Sequence, residues 1–175
     1  MALILLRHGR PAGAEGRCYG RTDLAPCPRL LREAQSVAAR LAPVDRIVSS
    51  PLRRCRRLAG LLGARFGVPV GLDLAWREID FGAWEGLAWD AVPRAEIDAW
   101  AADFLHARPH GGESVAMLLA RVRRALARAG LPRGRALVVT HAGPIRAALL
   151  ATGAGPAAWQ RSVGFGELVE IGGRR

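Results

Sequence analysis

Three segments of this chain set a histidine or an arginine cluster directly behind a run of apolar residues. They are Arg7-His8-Gly9-Arg10 after "LILL", Ser50-Pro51-Leu52-Arg53-Arg54 after "RIVS", and His141-Ala142-Gly143-Pro144 after "ALVVT". A neutral imidazole is a nucleophile or general base, and a protonated one is a ligand for anions. A guanidinium matches two oxygens of a phosphate or carboxylate at once. Ser50 suits a helix N-cap and Pro51 the first helical position. The first two turns of that helix hold Arg53, Arg54, Arg56 and Arg57 and no acid, although this end of a helix favours negative charge. An anion seated on the terminus beside Arg53 removes the conflict, while the other arginines are expected to face water. His106 and His110 have metal-like spacing, but Pro109 between them breaks a helix. They read as loop residues, and neither a metal nor another cofactor is expected.

For the three segments to act together, three strands must end side by side. The apolar runs allow this. Leu3–Leu6 reads as a buried strand, and a helix from about Arg29 to Leu41 carries Leu31, Ala34, Ala38 and Leu41 on one face. "DRIVSS" reads as a short buried strand followed by a helix, and "VGLDLAW" as an edge strand. Helices are expected over Val92–Leu105 and Ser114–Ala129, the second repeating Val115, Leu118, Leu119, Val122 and Leu126 at helical spacing. "RALVVT" is another buried strand, "GPIRAALLA" its helix and "GELVEI" a closing strand. The alternation predicts an α/β fold, one three-layer α/β/α domain over residues 1–175 with a mostly parallel sheet. Such sheets bind ligands beyond the carboxyl ends of their strands.

Composition narrows the function classes. The net charge is +11, yet all 26 basic residues are arginine and the chain contains neither lysine nor asparagine. The absence of lysine excludes a P-loop and every Schiff-base mechanism. A nucleic-acid binder interleaves aromatics with its basic residues, whereas these arginine-rich helices hold mainly alanine and leucine, so no nucleic-acid partner is expected. Cys18, Cys27 and Cys55 form neither a disulfide framework nor a zinc knuckle, which suits a reducing cytoplasm. No apolar run reaches the ~18 residues that span a bilayer, so no membrane association is expected.

Taken in order, RHG after the first strand, SSPLRR, the acid of "WREIDFGAWEG" and the late THAG resemble the histidine phosphatase superfamily, also called phosphoglycerate mutase-like. Within it, "EGRCYGRTDL", "SSPLRRC", "REIDFGAWEG" and "HGGES" are most similar to the α-ribazole phosphatases of cobalamin nucleotide-loop assembly. The resemblance implies phosphomonoester hydrolysis through a phosphohistidine on His8. Arg7, Arg53 and a cationic His141 would stabilise the transferring phosphoryl group, and Glu78 would protonate the leaving oxygen, with Asp80 and Glu85 as rival acids. Substrate-binding positions are Arg7, Arg53, His141, Tyr19, Gly20 and Ala142. Among Trp76, Phe81, Trp84 and Trp89, at least two are expected in the core, and an exposed one could stack on an aromatic base. The sequence departs from the family in continuing RHG with Arg10-Pro11 and in lacking asparagine, so Arg10 or the backbone near Tyr19-Gly20 is the candidate replacement donor. The implied partner is a small-molecule phosphate ester, and the implied assembly a monomer or homodimer. A broad-specificity histidine phosphatase, or a phosphoglycerate mutase-like phosphoryl transfer on the same scaffold, is the alternative.

Overall fold

In a computed structural model, which describes residues 2–129 and 134–172, the three apolar runs lie next to one another in a single sheet. The strands are β1 (Ala2–Arg7), β2 (Arg46–Ser49), β3 (Val70–Leu72), β4 (Arg135–Thr140) and β5 (Leu168–Gly172), in the order β3-β2-β4-β1-β5. β1 pairs with β4, β4 with β2 and β2 with β3, all parallel. Only β5 runs antiparallel, against β1, so the sheet is mixed. The helices are α1 (Leu30–Arg40), α2 (Arg53–Phe66), α3 (Arg94–Ala102), α4 (Val115–Ala129) and α5 (Ala142–Ala151).

Successive side chains of a strand point to opposite faces, and both faces here are covered. Ile4, Leu6, Ile47, Leu137 and Val139 pack with Val37 of α1 and with Leu58 and Leu62 of α2. Leu5, Val138 and Val169 face the other way, onto Leu118 and Val122 of α4 and Ile145 of α5. This is the expected three-layer arrangement. Strands buried on both sides explain why β1 and β4 read as unbroken apolar runs.

Four features differ from the sequence reading, the first being that "VGLDLAW" is an edge strand only over Val70–Leu72 and continues as a 3-10 turn over Leu74–Trp76. On α1 the buried stripe is Leu30, Ala34, Val37 and Leu41, and Leu31 is 66% exposed. The true stripe is thus rotated slightly from the one assigned. Helix α2 starts at Arg53 rather than Pro51, with Leu52 still extended at its N-cap. The helix expected over Val92–Leu105 is shortened at both ends to α3, with Pro93 at its N-cap and residues 103–106 in turns. A small third cluster, Cys18, Trp84 and Val92 with Ile97 and Trp100, anchors this excursion to the loop after β1.

Candidate active site

Parallel pairing brings the carboxyl ends of β1, β2 and β4 to one edge. The ladder runs past the strands: His8 N–H donates to Thr140 O (3.1 Å) and Ser50 N–H to Val139 O (2.9 Å). His8 and His141 are both buried, and their rings meet edge to face with centroids 4.9 Å apart.

Two hydrogen bonds fix the state of His8. Arg54 Nε lies 3.2 Å from His8 Nε2, and arginine can only donate. Nε2 must therefore carry a lone pair, and the ring proton is on Nδ1, which donates to Gly9 O at 2.6 Å. Burial first, then the neighbouring Arg54 charge, pushes the His8 pKa down to about 3. His8 is a neutral imidazole with its Nε2 lone pair aimed at a guanidinium.

The arginine that meets His8 is thus Arg54, not Arg53. Arg53 is exposed, while Arg54 is 1% exposed and its other nitrogens donate to Thr22 O (2.7 Å) and Gly20 O (2.6 Å). The helix terminus does carry an anion, but it is the chain's own: Arg53 N–H donates to Asp23 Oδ1 at 2.6 Å. This aspartate removes the electrostatic conflict of an arginine-rich first turn. Ser50, read as the N-cap, instead shares a hydrogen bond with His141 Nε2 (2.9 Å). Arg56 and Arg57 are exposed, as expected.

Arg7 is half-buried, with its guanidinium 3.8 Å from the centre of the Phe165 ring and Nη1 donating to Val163 O. Its Nε is buried without a hydrogen-bond partner. His141 is expected as a cation, but burial, followed by the charges of His8, Arg54, Arg121 and Arg7, holds its pKa well below the ordinary imidazole value.

Glu78 reaches the same space. Its Oε2 accepts from Gly143 N–H at the start of α5 (3.2 Å), and a Cβ on Gly143 would lie 2.1 Å from Oε1, so a side chain there would displace the Glu78 carboxyl. The turn carrying Glu78 is pinned from behind by Arg121 of α4. Its guanidinium donates to the carbonyls of Ala75, Arg77 and Glu78 and to both oxygens of Glu113, at 2.7–3.0 Å. Sequence reading missed Arg121, since its exposed-looking place in an arginine-rich helix gives no local signal. The rival acids are engaged elsewhere. Asp80 pairs with Arg21 at 3.0 Å. Glu85 accepts from the backbone N–H groups of Gly20, Arg21, Thr22 and Phe81 and from the Thr22 hydroxyl, and these bonds hold its pKa below the usual carboxylate range against the effect of burial.

Gly20 therefore spends its N–H on Glu85, and its lack of a Cβ lets Ile79 O approach. Arg10 is exposed and lies 5.1 Å from the Phe165 ring centre. Tyr19 stays at the site, its ring centre 5.4 Å from the Arg54 guanidinium carbon, and Ala142 opens α5 beside His141. Trp76 and Trp84 are core residues at 1% exposure, whereas Trp89 is 42% exposed. An open cavity of about 290 Å³ collects Arg7, His8, Arg17, Tyr19, Glu78 and Trp89. A larger hollow of about 630 Å³ over α1 and α2 is lined by Leu31, Arg57, Leu61 and Leu72, and it holds no histidine or carboxylate. Among the described residues no cluster of histidine, cysteine and carboxylate side chains could hold a metal ion, and no helix is long and apolar enough to cross a membrane.

Comparison with known proteins agrees with this geometry. The family model of the histidine phosphatase superfamily (branch 1) matches residues 3–171. The chain is 35% identical over 153 residues to the bifunctional protein Rv2228c of Mycobacterium tuberculosis, covering 82% of this chain and 42% of that protein. It is 41% identical over 123 residues to a glucosyl-3-phosphoglycerate phosphatase of Mycolicibacterium vanbaalenii, covering 64% and 52%. The chain thus spans about half the length of these curated relatives. The α-ribazole phosphatase structure from Shigella flexneri superimposes with a TM-score of 0.86 at 26% identity, over 98% of this chain and 90% of that one.

Proposed function

The chain belongs to the histidine phosphatase superfamily, and from that premise we propose that it hydrolyses small phosphate monoesters through a phosphohistidine on His8. The observation that carries the reading is the state of His8: neutral, Nδ1 fixed on Gly9 O, and the Nε2 lone pair facing Arg54. The Nε2 lone pair attacks phosphorus, and the ester P–O bond breaks with its electron pair leaving on the alcohol oxygen. Glu78 gives that oxygen a proton. Arg54 turns its N–H from Nε2 to a phosphoryl oxygen as phosphorus arrives, and Arg7 offers its unpartnered Nε. Phosphoryl transfer asks mainly for such positioning and charge. His141 takes up a proton when the dianion binds and so becomes the cation that the resting protein lacks. Water then attacks the phosphohistidine, the P–N bond breaks, and the proton of the water passes to the Glu78 carboxylate.

Among substrates we favour α-ribazole 5′-phosphate. Exposed Trp89 and half-buried Tyr19, which line the cavity, offer flat faces to an aromatic base, and the likeness to an α-ribazole phosphatase supports the choice. Labelled ester should leave acid-labile, alkali-stable phosphate on the wild type and none on His8→Ala. Label retained by His8→Ala would remove His8 as the nucleophile. A turnover panel of α-ribazole 5′-phosphate, glucosyl-3-phosphoglycerate and 3-phosphoglycerate tests the substrate, with α-ribazole 5′-phosphate expected to give the highest kcat/KM.

A further inference from the structure

A second hollow, of about 240 Å³, adjoins the His8 loop and is lined in part by Gly9, Arg10, Cys27, Glu33, Arg40 and Phe165. Glu33 stands in the first turn of α1, and its carboxyl packs so closely on Gly9 that a Cβ there would lie 2.0 Å from Oε2. Both carboxyl oxygens are sealed from solvent, and neither has an aligned hydrogen-bond partner. The cations around the hollow are occupied elsewhere. Arg40 donates to Ser36 O and Gly166 O, Arg10 lies over the Phe165 ring, and Arg7 lies over the same ring and donates to Val163 O. The other titratable groups facing this corner are the Cys27 thiol and His8, whose Nδ1–H is committed to Gly9 O.

An unpaired carboxylate is costly to bury, so this group keeps its proton where an exposed glutamate would not. The contact is also placed to matter, because Gly9 is both the surface on which Glu33 rests and the acceptor that orients the His8 ring. We propose that Glu33 is a positioning residue for His8: its neutral carboxyl props the Gly9 peptide that orients the nucleophile, and ionisation puts an uncompensated charge behind the phosphate site. Burial pushes the Glu33 pKa up to about 7, with the Gly9 backbone N–H pulling the other way. The switch therefore falls in the neutral range, and activity is lost on its alkaline side. The inference rests on the reading of His8 as nucleophile.

The test is the pH dependence of kcat/KM on p-nitrophenyl phosphate for the wild type, Glu33→Gln and Glu33→Leu. If only the protonated fraction of a group at about 7 is productive, the wild type falls about tenfold between pH 6 and pH 8. Glu33→Gln, a neutral amide of the same shape, should match the wild type at pH 6 and hold its rate to pH 8. Glu33→Leu fills the space without a polar contact; it should also lack the alkaline fall but be slower throughout, on the order of tenfold. Ionisation of the ester itself is common to all three proteins and cancels in the comparison. A Glu33→Gln profile that falls like the wild type, or a Glu33→Leu protein as fast as Glu33→Gln, would overturn the proposal. Should Glu33→Gln not fold, the loss or retention of the alkaline limb in Glu33→Leu decides. If the wild type hydrolyses no ester at any pH, it is the phosphatase reading that fails, and thermal midpoints then decide for Glu33. A pKa raised on folding makes stability drop as pH rises from about 4.5 to about 7. The wild-type midpoint should therefore fall relative to Glu33→Gln across that window, and equal slopes would show that the carboxyl is not held neutral.

Discussion

At His8, reactivity is set by which neighbours can only donate and which can only accept. Arg54 has no acceptor atom and Gly9 O no proton, so the tautomer follows from the partners alone. Replacing Arg54 by alanine removes the donor aimed at the reacting nitrogen and a contact that, on the proposed mechanism, moves to the phosphoryl group. A charge-assisted hydrogen bond of this kind contributes about 1.5–3 kcal/mol. Arg54→Ala should thus weaken inorganic phosphate as an inhibitor by roughly 10- to 100-fold, with Arg53→Ala close to wild type. Inhibition constants for the three proteins check this, and the reverse order would return the role to Arg53. The sequence reading placed the arginine one residue too early for a simple geometric reason. Successive helix residues are separated by about 100° around the axis. A helix begun at Arg53 instead of Pro51 therefore turns one neighbour to solvent and the other to the core. SSPLRR showed that an arginine would serve the strand end, but not which.

The elements themselves were readable because their signals are local. The unbroken apolar runs of β1 and β4 and the 3.6-residue stripe of α4 lie in consecutive residues, and the convergence of three strand ends follows from parallel pairing. What escaped the sequence are clamps between segments far apart in the chain. Glu85 organises Gly20 to Thr22, and Arg121 holds the turn that presents Glu78. No periodicity marks such pairs. On the proposed mechanism, Arg121 positions the acid Glu78 from behind its turn. Its ion pair with Glu113 is nearly buried, with side chains 13% and 6% exposed. Removing one partner of a buried pair typically costs about 3–5 kcal/mol, and without Arg121 Glu113 keeps only the longer contact to Arg21 at 3.6 Å. Arg121→Leu should destabilise by that order in urea unfolding and lower kcat/KM together with it. Arg121→Leu combined with Glu113→Leu should recover much of the stability but not the rate, since the carbonyls of Ala75, Arg77 and Glu78 still lack their donor. Recovery of both would make Arg121 purely structural.

For the molecule as a whole, gathering neutral imidazoles at a buried, cationic sheet edge exchanges acid stability for what is, on the proposed mechanism, a ready nucleophile. Burial lowers the pKa values of His8, His141 and His110, in a chain whose net charge is already +11. For His8 the folded value of about 3 lies below the ordinary 6.5. Between these two values the unfolded chain binds a proton that the folded one refuses. Stability must then rise with pH across the window and be lost progressively below about 6.5. For one imidazole held neutral in the fold, the loss between pH 7 and pH 5 is about 2 kcal/mol, and His141 adds in the same direction. Glu33 works in the opposite sense over the same range. Urea unfolding of His8→Gln isolates one of these contributions, because His141 and Glu33 remain. Its stability should fall by about 2 kcal/mol less than that of the wild type between pH 7 and pH 5. Identical slopes would mean that His8 takes up a proton within the folded protein over this range. It would then no longer be the permanently neutral ring on which nucleophilic attack by Nε2 depends.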